Sequence, residues 1–512
     1  MKHGTIISGA LAGVEAFKVQ VTATVTDGLP SFVFVGALSE AAIRETRVRV
    51  QSAISNAGFV FPVGRVTVEI KALDRLSLPV DRKVDGTGLD LPVALAVLQA
   101  TGQIPDVVET GALLTFGELG LNGDVRPVRG AILLATLRDG RAADRIARGF
   151  EGHLTHADVL CAFENGAEAA RSARTRVVRT LREAATVLAT GTGGDSYTAP
   201  TFTPKVDNTP DFRDVKGQGR AIRAAVIAAA GGHGLMLTGG PGSGKTMIAR
   251  RIPGILPPLT EAEAREVTEV HSVAGLNIGA GLATSRPFRA PHHSTTAPGL
   301  CGGGSAVPRP GEVSLAHRGV LFLDETPEFS RMTLDVLREP LTTGTVVLSR
   351  AAGTVRFPSQ ALVVGSQNPC PCGHFSNGSN RCKCSADDRK RYLARSTIVT
   401  TLCDVRCEVA QISLAAIDDE TPGTDSATLR AQVTAAREVQ ARRGMLNSQM
   451  ASQEVQRELD AMPRATHALL NGYAVTVQDT ARIVRVARTI ADLAGLDVIS
   501  DLCLSEALQL TK

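Results

Sequence analysis

Hydrophobic and polar positions follow three different rhythms along this chain. In residues 1–188, runs at 31–35 and 65–70 read as strands, while 39–57 has helical spacing with Ile43, Val50 and Ile54 on one side. Residues 90–101 read as an apolar helix, and 113–117 as a further strand before a turn-rich run, GELGLNGDVRP. Residues 189–213 are rich in Gly, Thr and Pro and have no period, which marks a linker. From 214 onward helix and strand alternate. An Ala-rich helix at 221–231, a strand at Leu235–Thr238 and a helix opening near Lys245 come first. Strands at Val320–Leu323 and 361–365 follow, with a helix near 332–341 between them. Alternation of this kind predicts an α/β unit built on a parallel sheet covered by helices. A second break at 418–426 precedes a wholly helical tail. The expected units are therefore 1–188, a linker at 189–213, a core at 214–417 and helices at 418–512, with no solenoid repeat.

Length and composition narrow the class. The 512 residues suffice for about three domains. With 43% hydrophobic and 21% charged residues, wholesale disorder is excluded. The best candidate membrane span, 221–237, is interrupted by Arg223, glycines and His233, and no stretch reaches the ~18 apolar residues required. The first residues lack the apolar core and cleavage site of a secretory signal, so the expectation is a cytoplasmic protein without a membrane partner. Lys plus Arg (55) exceed Asp plus Glu (51) by +4, which neither requires nor forbids nucleic acid. With no Trp and three Tyr, a recognition surface of stacked aromatics is disfavoured.

Candidate chemistry concentrates in the central unit. Gly239-Gly240-Pro241-Gly242-Ser243-Gly244-Lys245-Thr246 fits the P-loop pattern and lies between a predicted strand and a predicted helix. The glycines let main-chain N–H groups turn toward phosphate oxygens at the positive end of a helix. Lys245 would reach the β- and γ-phosphates of ATP, and Thr246 would ligate Mg²⁺. The strand Val320–Leu323 ends in Asp324 and Glu325, where parallel sheets place their chemistry. Asp324 is assigned to the Mg²⁺ shell and Glu325 to polarising the attacking water. Asn368, after the next strand, would hydrogen-bond the γ-phosphate or that water, the competing reading being an ordinary turn residue.

Four of the nine cysteines crowd into 370–384 as Cys370-Pro-Cys372 and Cys382-Lys-Cys384. Four thiolates suit tetrahedral Zn²⁺, and His374 is an alternative ligand; four reduced thiols in a loop beside Asn368 are the rival reading, because C-x-C is less diagnostic than C-x-x-C. The tail carries nine Arg against five acids over 430–488 and no Lys. Arg430, Arg437, Arg442, Arg443, Arg482, Arg485 and Arg488 either face DNA phosphates or form a solvated face with interdomain ion pairs. His292 and His293 have no carboxylate at ligand spacing and read as part of a loop.

Long motifs carry a more specific likeness. SRPFRAPHHSTTAPGLCGGG (285–304), PRPGEVSLAHRGVLFLDETPEF (308–329) and NPCPCG (368–373) resemble the ComM/YifB family of magnesium-chelatase-like AAA+ ATPases. So do KGQGRAIRAAVIAAAGGHGLMLTGGPGSGKT (216–246), HSVAGL (271–276), VARTIADLAG (486–495), DGLPSFVFVGALSEAAIRETRVRVQSAISNAGFVFP (27–62) and GLDLPVALAVL (88–98). The resemblance implies a Lon-C-terminal-like α+β N-domain, a central P-loop AAA+ module and a C-terminal helical lid. It also implies a homo-hexameric ring acting on branched or single-stranded DNA, with branch migration during recombination of incoming DNA. The segment matching Lon's nucleophile loop reads Asp85-Gly86-Thr87-Gly88-Leu89-Asp90 and lacks Ser, which argues against a Ser–Lys peptidase. GELGLNGDVRPVRG (117–130) is similar to the equivalent domain of RadA-type recombination ATPases.

The chain departs from the family pattern at two arginines. Leu402 falls where relatives place the arginine that reaches a neighbour's ATP, leaving Arg395 and Arg406 as substitutes. Gln478 stands at the lid arginine, with Arg482 one turn further on as its substitute. An arginine finger contributes about 10³–10⁵ in rate, so firm Mg·ATP binding with weak hydrolysis is expected. The favoured function is a DNA-remodelling motor. Its rivals are a magnesium-chelatase motor subunit, disfavoured by the fused N-domain, and a non-hydrolysing ATP-binding assembly factor.

Overall fold

The computed structural model describes residues 2–36, 38–73, 86–105, 113–137, 158–206, 210–276, 279–304, 308–350, 353–375, 381–411, 423–473 and 476–511. The first unit is built on a hairpin, β1 (Lys2–Ala12) and β2 (Glu15–Thr26), with β3 (Ser31–Gly36), α1 (Glu40–Asn56) and β4 (Arg65–Ala72) after it. Then come α2 (Asp90–Ala100), β5 (Leu114–Thr115), β6 (Val159–Ala162), β7 (Thr175–Val178), α3 (Leu181–Thr190) and β8 (Asp195–Tyr197). The sheet runs β8-β7-β6-β5-β1-β2-β4-β3, with β1–β2, β2–β4 and β7–β8 antiparallel and the other pairs parallel. Phe17, Val19, Val21 and Ala23 on β2 point inward at every second position. Helix α2 is buried all round, which explains why DLPVALAVLQA carries no charge after Asp90.

Two features here differ from the sequence expectation. The β1–β2 hairpin is not among the expected elements: β1 has no strong alternating signal, because it mixes Gly, Ser and Ala with its apolar residues, although β2 alternates at every second position. Its Gly4 sits where α2 presses closest: an added methyl would lie 2.2 Å from Ala96 O. The expected linker begins with a strand, since β8 pairs with β7 and sets Tyr197 edge-on to Phe163, with ring centroids 6.0 Å apart. Three residues are too short a run to show a period.

The central unit comprises α4 (Gly219–Gly231), β9 (Leu235–Thr238), α5 (Lys245–Ala249), α6 (Glu261–Ala274), β10 (Phe288–Arg289) and β11 (Val320–Leu323). It continues through a hairpin, β12 (Thr345–Arg350) and β13 (Gly353–Pro358), to β14 (Leu362–Gln367), α7 (Ala386–Ala394), α8 (Thr397–Leu402) and β15 (Val405–Glu408). The five-stranded sheet is wholly parallel in the order β10-β11-β14-β9-β15. The central strands β9 and β11 read as apolar runs, LMLT and VLFL, as strands buried on both faces do, whereas the edge strands β10 and β15 carry Arg289, Arg406 and Glu408. The helix expected near 332–341 is instead two short helices, Arg331–Asp335 and Arg338–Thr343. Pro340 supplies no N–H to continue the first of them.

The tail folds as α9 (Ser426–Arg442), α10 (Ser452–Ala461), α11 (Arg464–Asn471), α12 (Val477–Leu493) and α13 (Asp501–Thr511), sharing one apolar core with α4 and β9. No helix among the described residues is long and apolar enough to cross a membrane.

The first unit meets the central one along α6. Ile132 and Leu133 enter the same apolar cluster as Ala264 and Val267. Within this contact Ser272 Oγ accepts from Gly130 N at 2.9 Å and donates to Glu168 Oε2 at 2.6 Å. Burial raises the Glu168 carboxyl from 4.5 to about 7, partly offset by hydrogen bonds from Ser272 and Ile132, and its Oε1 has no protein partner. The folded state therefore binds a proton that the unfolded state releases. This stabilisation is complete below about 4.5 and is lost as pH rises through about 7. Thermal unfolding midpoints measured across that window should fall with rising pH in the wild type, and Glu168→Gln should flatten the fall.

Candidate functional site

Parallel strands deliver their chemistry at their carboxyl ends, and three neighbours do so here. β9 runs into the loop 239–244, β11 into Asp324 and Glu325, and β14 into Asn368. Lys245 is nearly buried, and its Nζ donates to Gly239 O at 2.6 Å, Gly240 O at 2.9 Å and Asn368 Oδ1 at 3.2 Å. Burial pushes its ammonium below the usual lysine range, while the charges of Asp324 and Glu325 push it back up. Thr246 Oγ1 donates to Asp324 Oδ2 at 2.9 Å, and Ser366 Oγ donates to Asp324 Oδ1 at 2.5 Å.

Glu325 is exposed and has left-handed backbone angles, φ 50° and ψ 49°. Its N–H, bonded to Ser366 Oγ at 3.0 Å and to Asp324 Oδ1 at 3.1 Å, holds a conformation that costs a non-glycine residue about 1–2 kcal/mol. Asn368 is held from its other side by Tyr392 of α7, whose phenol burial pushes up to about 12. Thus Lys245, Thr246, Asp324 and Asn368 are brought into one bonded cluster, with Glu325 on its rim.

The loop glycines have two separate reasons. Gly242 and Gly244 have φ of 73° and 95° with open space around them, so they serve conformation. Gly239 serves proximity, since an added methyl would lie 2.5 Å from Val409 O. Beside the loop lies a cleft of about 490 Å³ bordered by Gln218, Arg220, Pro369 and Glu408. Gln218 Nε2 spans it, donating to Ala410 O at 2.7 Å and Ser243 O at 3.2 Å. Sequence reasoning missed Gln218 and Ser366. The Gly-Gln-Gly turn before α4 was the available signal for Gln218; Ser366 had none.

The cysteines converge. Cys370 Sγ lies 3.4 Å from Cys372 Sγ and 3.7 Å from Cys382 Sγ, and all four Sγ atoms lie within 4.8 Å of one another. The backbone N–H of His374, with neighbouring thiols, pulls the Cys372 thiol down to about 6. His292 and His293 stack at 4.0 Å in their loop, with His293 edge-on to Phe329.

Most tail arginines are committed internally. Arg430 donates to Gly254 O, Arg437 to Ala229 O and Arg485 to Met450 O. Arg488, 2% exposed, bonds Asp492 and the carbonyl of Asp497. Arg443 pairs with Asp492. Arg442 is exposed and bonds Glu438 O of its own helix. Two of these arginines, Arg430 and Arg437, reach the central unit, and Arg443, Arg485 and Arg488 bond within the tail.

The substitute arginines occupy two places. Arg482 lies 3.7 Å from Asp404, which precedes β15 at the level of Leu235, so it sits at the sheet edge opposite the chain's own phosphate loop. Arg406 lies beside it, and Leu402 ends the helix that packs its carbonyl on Gly234 at this same edge. Arg395 is exposed after α7 and borders a second cleft on the cysteine side.

The chain is similar to known proteins along nearly its whole length. Residues 211–417 match the family described as Magnesium chelatase, subunit ChlI; residues 21–145 match Subunit ChlI of Mg-chelatase; and residues 423–511 match Magnesium chelatase, subunit ChlI C-terminal. The chain is 36% identical over 524 residues to Competence protein ComM of Haemophilus influenzae, covering 99% of this chain and 97% of that one. It is 36% identical over 527 residues to YifB of Salmonella typhimurium, covering 99% and 96%. The Magnesium-chelatase 67 kDa subunit of Chlorobaculum parvum is 26% identical over 163 residues, 31% of this chain and 23% of that one.

The two kinds of glycine respond differently to substitution. Gly244→Ala should cost about 1–2 kcal/mol through backbone strain alone. Gly239→Ala should cost more, because β15 must move. Chemical unfolding of both variants measures the difference.

Proposed function

The chain belongs to the ComM/YifB family of magnesium-chelatase-like proteins, and from that premise we propose that it is an AAA+ motor that binds Mg·ATP and remodels DNA. The observation that carries this reading is the bonded cluster of Lys245, Thr246, Asp324 and Asn368 at three adjacent strand ends. The residues fit the ligand: a hydroxyl and a carboxylate at 2.9 Å suit two positions of an octahedral Mg²⁺ shell, and the loop carbonyls now holding Lys245 would exchange for phosphate oxygens. Bound magnesium would neutralise phosphate charge. Lys245 would bridge the β- and γ-phosphates, Glu325 would orient water, and Asn368 would position the γ-phosphate. The cleft beside Gln218 would take the nucleoside.

The reading includes a Lon-like N-domain over 1–188, a linker at 189–213, the motor at 214–417 and a lid over 418–512. It also includes a homo-hexameric ring in the cytoplasm. Leu402, Arg406 and Arg482 gather at the sheet edge away from the chain's own phosphate loop, so any arginine finger there would serve a neighbour. The similarity to Competence protein ComM supports a link to DNA uptake, and that link supports DNA as partner. A chelatase-type motor is the second reading, supported by the three family matches.

ATP turnover with and without four-way DNA separates these readings. The expected result is slow turnover that DNA accelerates; hydrolysis indifferent to DNA favours the chelatase type, and binding without turnover the assembly factor. Lys245→Ala should weaken ATP affinity about 10–100-fold in calorimetry, since it removes a charged hydrogen bond. Arg395→Ala with Arg406→Ala should abolish the DNA-stimulated rate; normal turnover in the double variant would overturn the finger assignment.

A further inference from the structure

Beyond the nucleotide cluster, the cysteine loop is the one concentration of metal-binding side chains found among the described residues. Four thiols gain little from one another as hydrogen-bond partners, because S–H is a weak donor. A tetrahedral ion with metal–sulfur bonds of about 2.3 Å places its sulfurs about 3.8 Å apart. Here Cys370–Cys382 and Cys372–Cys382 are each 3.7 Å and Cys370–Cys372 is 3.4 Å, well beyond a disulfide bond. Cys370 is buried, and the other three close over it from the surface. We propose that Cys370, Cys372, Cys382 and Cys384 hold one zinc ion as thiolates, and that this ion clamps the end of β14, with Asn368, to α7 and the phosphate loop.

On binding, the thiols release their protons to solvent and four Zn–S bonds form, leaving a centre of net charge −2. The surroundings match that charge. Arg381 and Lys383 border the adjacent cleft, and Arg389 bonds Cys384 O at 3.3 Å while its guanidinium lies 3.9 Å over Phe375.

The clamp follows from what each pair of cysteines carries. Cys370 and Cys372 lie just after Asn368, whose amide accepts from Lys245. Between them and Cys382, Gly373 packs on the loop so closely that a methyl there would lie 2.5 Å from Pro241 Cδ. Cys384 precedes Ser385, which caps α7, and α7 supplies the Tyr392 that bonds Asn368. One ion thus joins the two chain segments that hold Asn368.

The metal half of the proposal does not depend on the motor reading. Elemental analysis of the full chain purified without chelator should give one zinc per chain, and Cys382→Ser with Cys384→Ser should remove it. Should those variants misfold, chelator-stripped wild type titrated with Co²⁺ should develop the absorption of a tetrahedral thiolate site. Absence of zinc together with absence of that spectrum overturns the site. Amide exchange read over 366–370 tests the clamp whether or not ATP is hydrolysed. Stripping the metal should accelerate exchange there about tenfold, and restoring zinc, but not magnesium, should reverse it. Unchanged exchange overturns the clamp and leaves the site standing.

Discussion

The carboxylate of Asp324 is shared between two hydroxyls, Thr246 Oγ1 at 2.9 Å and Ser366 Oγ at 2.5 Å, and much of the central unit is arranged around that sharing. Thr246 belongs to the helix after β9, Asp324 ends β11, and Ser366 lies on β14 between those strands. The contact is available because all five strands run the same way, so the loops that follow them open on one edge. The register Leu323↔Gly365 and Leu237↔Ser366 then sets Asp324 against both hydroxyls. A one-residue slip in either pair would turn these side chains to the opposite face.

The same economy governs charge. The tail is rich in arginine, yet Arg430, Arg437 and Arg485 end on main-chain carbonyls of other helices or loops, and Arg488 on carboxylates and carbonyls. Burial pushes the Arg437 guanidinium down to about 10, a cost borne only because it satisfies the otherwise unpaired carbonyl near the end of α4. The bonds of Arg430 and Arg437 tie the helical tail to helices of the central unit, and the others hold the tail's own segments together. His233 adds a second tie, bonding Asp404 at 2.9 Å and Thr489 at 2.8 Å across the same junction. Asp404 also pairs with Arg482. Movement of α12 is thereby coupled to the edge where Leu402 and Arg406 lie.

At the edge that carries the phosphate loop, Tyr392 does for Asn368 what Ser366 does for Asp324: it limits where the side chain can go. Tyr392 and Gly373 approach Asn368 and the phosphate loop from α7 and from the cysteine loop. The side chains around the phosphate loop are thus held by neighbours on both flanks, while Glu325, on its strained turn, is exposed.

Much of this was legible in residue order alone. A P-loop between a strand and a helix, an apolar strand ending in Asp324-Glu325, and alternating helices and strands define a parallel α/β unit, because strand burial and loop chemistry are local properties of the chain. Short or mixed elements were not legible: β1 lacks a strong period, and β8 is three residues long. Long-range partners were hidden as well. Nothing in residue order told that Arg437 would end on Ala229 O, that Ser366 would hold Asp324, or that Arg482 would face away from its own phosphate loop. A side chain's identity states what it can bond, but strand register and helix packing decide which partner comes within 3 Å, and those are set by the whole fold.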